Sequence, residues 1–212
     1  MKLSRRHFLA GCGIARASNV ITVGLIGTGW QGGNNVSSFL ELPEARVLAV
    51  CDVDAVHLEE ARASVNRHYG NKDCTSYQHF EDLLARSDID AVCLSVPDHW
   101  HGVVAVEAAR AGKDIYGEKP LAQNFAEGKA IGEAVRRCGR VWQTGSWQRS
   151  LAQFRFACEL VRNGRLGKVR KVEVGLPGGH IDWDGKGAET GPGPPPATLD
   201  YERWLGPAPW AP

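Results

Sequence analysis

The sequence predicts an α/β protein: a doubly wound parallel sheet, followed by the start of an α+β domain with an open antiparallel sheet. Three observations carry this. β-Branched apolar runs recur between helical patterns from residue 20 to residue 144, the alternation that builds βαβ units. Most of these runs are apolar throughout, as in strands covered on both faces. A glycine-rich segment, Gly27-Thr28-Gly29-Trp30-Gln31-Gly32, follows the first run and opens a helix.

The elements follow in order. Residues 20–26 form the first strand and 45–53 the second. Residues 54–69 carry Leu58, Ala61, Val65 and Tyr69 at helical spacing, with Gly70 as the stop. Phe80, Leu83 and Leu84 mark a short helix with Ser76 as its candidate cap. Residues 89–96 read as a buried strand, 103–111 as a helix ending at Gly112, and 115–117 as a short strand. Asn124, with Glu127 three residues on, opens a helix that Gly139 ends; 141–144 is a further strand. Ser150 with Gln153 reads as a capping box for a helix over 151–163, closed by Gly164. Val172, Val174 and Leu176 then alternate with Lys171, Glu173 and Gly175, the pattern of a half-buried antiparallel strand. Eight of the eleven prolines fall in 177–212, which argues against regular helix or central strand there. His180, Asp182 and Asp184 in that stretch read as a solvated loop rather than a catalytic carboxylate pair. The domain reading is an export signal over 1–17, a nucleotide-binding domain over 18–149, and the incomplete beginning of a second domain over 150–212.

Composition bounds the function. With 212 residues, 43% hydrophobic and 23% charged, the chain can bury a sizeable core. No run of 18 apolar residues is present, so stable membrane insertion is not expected. Of 25 basic and 24 acidic residues, four basic and no acidic ones lie in 1–17, leaving 21 against 24, a net −3. A mildly acidic body lacks the footprint of a nucleic-acid binder. The six cysteines, at 12, 51, 74, 93, 138 and 158, have neither metal-site spacing nor a disulfide framework; Cys51 and Cys93 lie inside apolar runs and read as buried small hydrophobes. No metal site is expected.

The N-terminus reads as an address. Ser4-Arg5-Arg6-His7-Phe8-Leu9 resembles a twin-arginine export signal, and Ala15-Arg16-Ala17 a cleavage site. This predicts a periplasmic or otherwise exported protein. The alternative is a basic start to a cytoplasmic one.

The glycine segment is G-x-G-x-x-G. It follows a strand, opens a helix, and precedes Asp52, 20 residues after Gly32 and at the end of the second strand. In this Rossmann pattern, Gly27 permits the tight turn, Gly29 lets backbone approach a pyrophosphate, and Gly32 lets the helix pack on the strand. The helix N-terminus presents N–H groups to the phosphates. Asp52 accepts from the adenosine ribose and would repel a 2′-phosphate. Val53 and Asp54 follow with no arginine. NAD is therefore favoured over NADP.

Three further motifs end predicted strands: Ser95-Val96-Pro97-Asp98-His99-Trp100-His101, Glu118-Lys119-Pro120, and Gln143-Thr144-Gly145-Ser146-Trp147-Gln148-Arg149. Together with the fingerprint they resemble the glucose–fructose oxidoreductase/inositol dehydrogenase (Gfo/Idh/MocA) family. Trp204-Leu205-Gly206-Pro207 is also similar. The resemblance implies a Rossmann domain followed by an open, mostly antiparallel substrate and oligomerisation domain, and a homo-oligomer when full length. It implies hydride transfer between the nicotinamide and a hydroxyl carbon of a carbohydrate, cyclitol or related polyol. By the same resemblance, Lys119 assists proton transfer at the reacting hydroxyl. Glu118 and the Ser95–Pro97 turn line the cofactor, and His101 and Gln148 lie near the nicotinamide or substrate. His99 and His101 equally suit capping and packing, and Trp147 and Arg149 suit either sugar binding or interdomain packing. The family also implies an NAD-using glycosidase or lyase branch with no net redox change. A non-catalytic NAD-binding fragment is the remaining alternative.

Overall fold

The computed structural model describes residues 20–175 and 193–210. The export motif of 1–17, Leu176 and the His180, Asp182 and Asp184 cluster lie outside them.

Six strands, β1 (Ile21–Ile26), β2 (Ala45–Cys51), β3 (Thr75–Tyr77), β4 (Ala91–Leu94), β5 (Asp114–Glu118) and β6 (Trp142–Gly145), pair in the order β3-β2-β1-β4-β5-β6. Every pairing is parallel. That is the doubly wound dinucleotide-binding order, in which the direction of strand addition reverses between β1 and β4. Helices α1 (Trp30–Leu40) and α2 (Ala55–Tyr69) cover one face; α3 (Phe80–Leu84), α4 (His101–Arg110) and α5 (Phe125–Cys138) cover the other. Side-chain alternation sorts the core. Cys93 of β4 packs with Val36 and Val65 of α1 and α2, whereas its neighbours Val92 and Leu94 pack with Leu83, Val104 and Ile131. This two-sided burial is why the strands read as continuous apolar runs. Each fully buried Val or Leu stabilises the fold by about 1.5–3 kcal/mol.

Local signals hold where the contacts are local. Asn124 accepts from the Glu127 N–H at 3.0 Å and donates to the Glu127 carboxylate at 2.7 Å, and Gly139 closes α5 in the left-handed conformation. Asp54 caps α2 through the Val56 N–H, and Gly70 ends it.

Several expectations are corrected. Ser76 caps nothing: it sits mid-strand in β3, paired with Val50, and α3 starts after His79. The Ser150–Gln153 capping box does not form. Ser150 ends a 3₁₀ turn (Trp147–Ser150), so α6 (Ala152–Arg162) has Leu151 at its cap position and no side-chain cap. No strand forms over 169–175, and Val172 and Val174 are exposed; no described segment pairs with them, and an alternating run becomes a strand only with a partner. The proline-rich tail does hold a helix, α7 (Tyr201–Leu205), in the proline-free interval between Pro196 and Pro207.

The molecule divides into two compact units. The first extends through Gly145 and also takes in Ala197–Pro209; the second comprises Ser146–Pro196 and the last residues. Residues 197–209, which the sequence places in a second domain, therefore pack with the nucleotide-binding body. Among the described residues, no helix is long and apolar enough to cross a membrane.

Candidate functional site

The site lies outside the carboxyl ends of β1, β2, β4 and β5, where the topology opens a crevice. It begins with the turn after β1. Gly27 has φ +82°, and a Cβ there would sit 2.4 Å from the Ser95 carbonyl oxygen. A Cβ on Gly32 would sit 2.0 Å from the Gly27 carbonyl oxygen. Both positions demand glycine because backbone meets backbone. No side chain caps α1 at Gly29. The first-turn amides, which have no intrahelical partner, remain available to an anion with the positive end of the helix dipole behind them.

Asp52 closes the turn from the end of β2. Its Oδ2 accepts the Thr28 N–H at 2.6 Å and lies 3.1 Å from the Thr28 hydroxyl; Oδ1 accepts the Asp54 N–H at 2.9 Å. Thr28 is buried, and its hydroxyl is also 3.2 Å from the His57 carbonyl oxygen. Thr28 thus orients Asp52. Oδ1 retains acceptor capacity for a further donor such as a ribose hydroxyl.

The EKP motif is tied to the same helix. Glu118 is 6% exposed. Its Oε1 accepts from the side-chain amides of Gln31 at 3.2 Å and Asn35 at 3.1 Å, and its Oε2 from the Lys119 N–H at 3.2 Å. Asn35 also donates to Ser95 Oγ at 2.9 Å, and Gln31 to Asn35 Oδ1 at 3.3 Å. This buried polar cluster fastens α1 to the ends of β4 and β5. Asn35 was not singled out by the sequence. Its signal was the i, i+4 relation to Gln31 on the fingerprint helix.

Lys119 follows at the end of β5, exposed, before a cis bond to Pro120. His101 is 2% exposed, with Nε2 3.0 Å from the Val96 carbonyl oxygen, so its ring anchors the Val96–Pro97 turn to α4 and does not line the crevice. Trp30 is 90% exposed at the first position of α1. Gln148 and Arg149 lie in the exposed 3₁₀ turn of the other unit.

A cavity of about 380 Å³ opens beside this framework, lined by Gly27, Gly29, Asp52, Ser95 and Pro97 on one side. Phe80, Trp100, Arg203 and Trp204 line it as well. No arginine follows Asp52 in sequence, but Arg203 reaches the same cavity from far along the chain, with its Nη1 3.1 Å from both Glu81 carboxylate oxygens. Cys51 also lines the cavity. Burial first, and then the Asp52 carboxylate, push its thiol far up, and burial pushes Cys93 to about 12. Both stay protonated and unreactive at neutral pH. Among the described residues, no group of three His, Cys, Asp or Glu side chains converges as a metal site would require.

The donor set fits a dinucleotide: uncapped helix amides for a pyrophosphate and an oriented carboxylate for a ribose, beside a cavity of about 380 Å³. Comparison with known proteins agrees. Residues 21–146 match the family model GFO_IDH_MocA, described as an oxidoreductase family with an NAD-binding Rossmann fold. A glycosyl hydrolase family 109 protein of Shewanella pealeana is 30% identical over 172 residues, 65% of this chain and 38% of its own length. The uncharacterized oxidoreductase YrbE of Bacillus subtilis is 28% identical over 186 residues, 88% of this chain and 48% of its own. Among solved structures, myo-inositol 2-dehydrogenase from Lactobacillus plantarum superposes with a TM-score of 0.64 at 25% identity, covering 71% of this chain and 43% of that one. The chain thus spans less than half the length of each.

The Glu118 cluster generates a prediction. Glu118→Gln places an NH₂ where only acceptors suit the three donors facing it. Stability should fall by about 1–3 kcal/mol, the cost of leaving buried polar groups unpaired, as read from urea unfolding.

Proposed function

The chain belongs to the Gfo/Idh/MocA oxidoreductase family, and from that premise we propose that the protein carrying it transfers a hydride between NAD and a hydroxyl carbon of a carbohydrate, cyclitol or related polyol. The observation that carries the reading is that one helix start joins the glycine turn, the oriented Asp52 and the EKP strand end: Asp52 accepts from Thr28, and Glu118 from Gln31 and Asn35. The first-turn amides of α1 would hold the pyrophosphate and Asp52 the adenosine ribose, with Ser95 and Pro97 bounding the cavity. When bound, NAD supplies the hydride acceptor. Glu118 fixes the backbone of Lys119, whose ammonium extends from the end of β5. Lys119 Nζ would hydrogen-bond the reacting hydroxyl oxygen and assist proton transfer there, as alcohol oxidation requires. His101 acts by holding the Val96–Pro97 turn. The preference for NAD over NADP rests on Asp52 and Asp54 standing where a 2′-phosphate would lie, with Arg203 already paired to Glu81.

A second reading has its own support. The Shewanella pealeana relative bears a glycosyl hydrolase name, and in that case the same site would act on a glycoside with no net NADH. The Arg5-Arg6 motif supports an exported protein in either case.

Lys119→Met should lower NADH formation from inositols and hexoses by about 10²–10⁴ while leaving NAD affinity unchanged, as measured by NADH absorbance and calorimetry. Turnover that persists in this variant contradicts the role given to Lys119. Glycoside cleavage by the wild-type protein without NADH would select the second reading.

Asp52→Ala should weaken NAD more than NADP in paired calorimetric titrations, because the carboxylate attracts a ribose diol and repels a phosphate. Equal losses for the two cofactors would remove Asp52 as the selector.

A further inference from the structure

We propose that residues 198–206 form the adenine-binding wall of the nucleotide site, with Arg203 and Trp204 as the side chains that meet the base. The inference rests on the NAD-binding reading above and adds residues that lie far outside the fingerprint.

The segment is fastened to both rims of the cavity. On the β2 side, the Ala55 N–H donates to the Thr198 carbonyl at 2.9 Å and the Asp200 N–H to the Val53 carbonyl at 3.0 Å, an antiparallel bridge centred on Asp54 and Leu199. On the β4 side, the Trp204 carbonyl oxygen accepts from His99 Nε2 at 2.9 Å and Trp100 Nε1 at 3.0 Å. The Arg203–Glu81 pair adds a third attachment. Gly206, at φ +51°, lies so close to Trp100 that a Cβ would be 2.2 Å from its ring. The strap therefore spans from the residue after Asp52 to the loop after β4.

What it brings to the cavity suits a purine. Leu199, Arg203 and Trp204 line the same space as Asp52 and Gly29. Phe80 and Trp100, packed edge to face at 5.8 Å, line the cavity beside them. The guanidinium, held by Glu81, is a planar cation, and planar cations and indoles both stack on bases. With Asp52 oriented for the ribose, a base on its glycosidic bond has this wall as its neighbour. The Trp204 ring is itself supported by Tyr201, stacked at 5.9 Å, and by His99.

The test is calorimetric titration of NAD and of ADP-ribose, which lacks the nicotinamide, into the wild-type protein and into Arg203→Ala, Trp204→Ala and Trp204→Phe. Arg203→Ala and Trp204→Ala should each weaken both ligands by about tenfold, the scale for removing one base-stacking side chain. Trp204→Phe, which keeps a flat ring, should recover most of the affinity. Thermal unfolding checks that each variant is folded, and if Trp204→Ala is not, Arg203→Ala and Trp204→Phe decide. Wild-type binding left unchanged in folded Arg203→Ala and Trp204→Ala overturns the wall and leaves the NAD site standing. Failure of the wild-type protein to bind either ligand overturns both readings.

Discussion

The contact on which the site depends is the approach of the Gly27–Gly32 turn to the end of β4. Backbone oxygens occupy the space a Cβ would need at two of its glycines. This closeness lets α1 start directly above β1 and aims its unpaired amides into the crevice. It also brings Asn35 within reach of Ser95 and Glu118, so the buried polar cluster exists only because the turn is this tight. A side chain at Gly32 would push α1 outward and part the donors from Glu118 together with the phosphate-facing amides.

Two carboxylates support that arrangement from different sides. Asp52 braces the turn from β2 through Thr28, and Glu118 braces the helix one turn further along from β5. Each is a short acceptor at a strand end facing donors fixed by backbone or by a buried amide. Binding geometry is thereby set before any ligand arrives, which lowers the ordering cost of association. Lys119 extends from a main chain that Glu118 holds, so the group assigned to the chemistry and the group assigned to the cofactor share one support.

The legible parts of the sequence were those fixed by short-range patterns. Strand–helix alternation, the stops at Gly70 and Gly139, the Asn124–Glu127 cap and the fingerprint with Asp52 all depend on neighbours within a few residues or on a spacing set by one βαβ unit. What was not legible came from distant pairing. The three residues of β3 are too few to show a period, so Ser76 read as a cap until its pairing with β2 placed it. Val172 and Val174 had the alternation of a strand but no described partner. Ser150 and Gln153 had capping-box spacing, but the preceding 3₁₀ turn shifted the helix start by a residue. The family resemblance sets His101 near the nicotinamide or substrate, whereas its ring turns into the core toward Val96. Arg203 reached the cavity through a tail segment that local composition marked as loop.

Hydrogen exchange of the protein with and without saturating NAD tests the central claim, that the dinucleotide lies across the ends of β1, β2 and β4, most directly. The account predicts slowed exchange of the amides of residues 28–33, of 53–57 and of the turn after β4, with the far ends of the strands unchanged. Protection confined to other segments, or none at saturation, would contradict it.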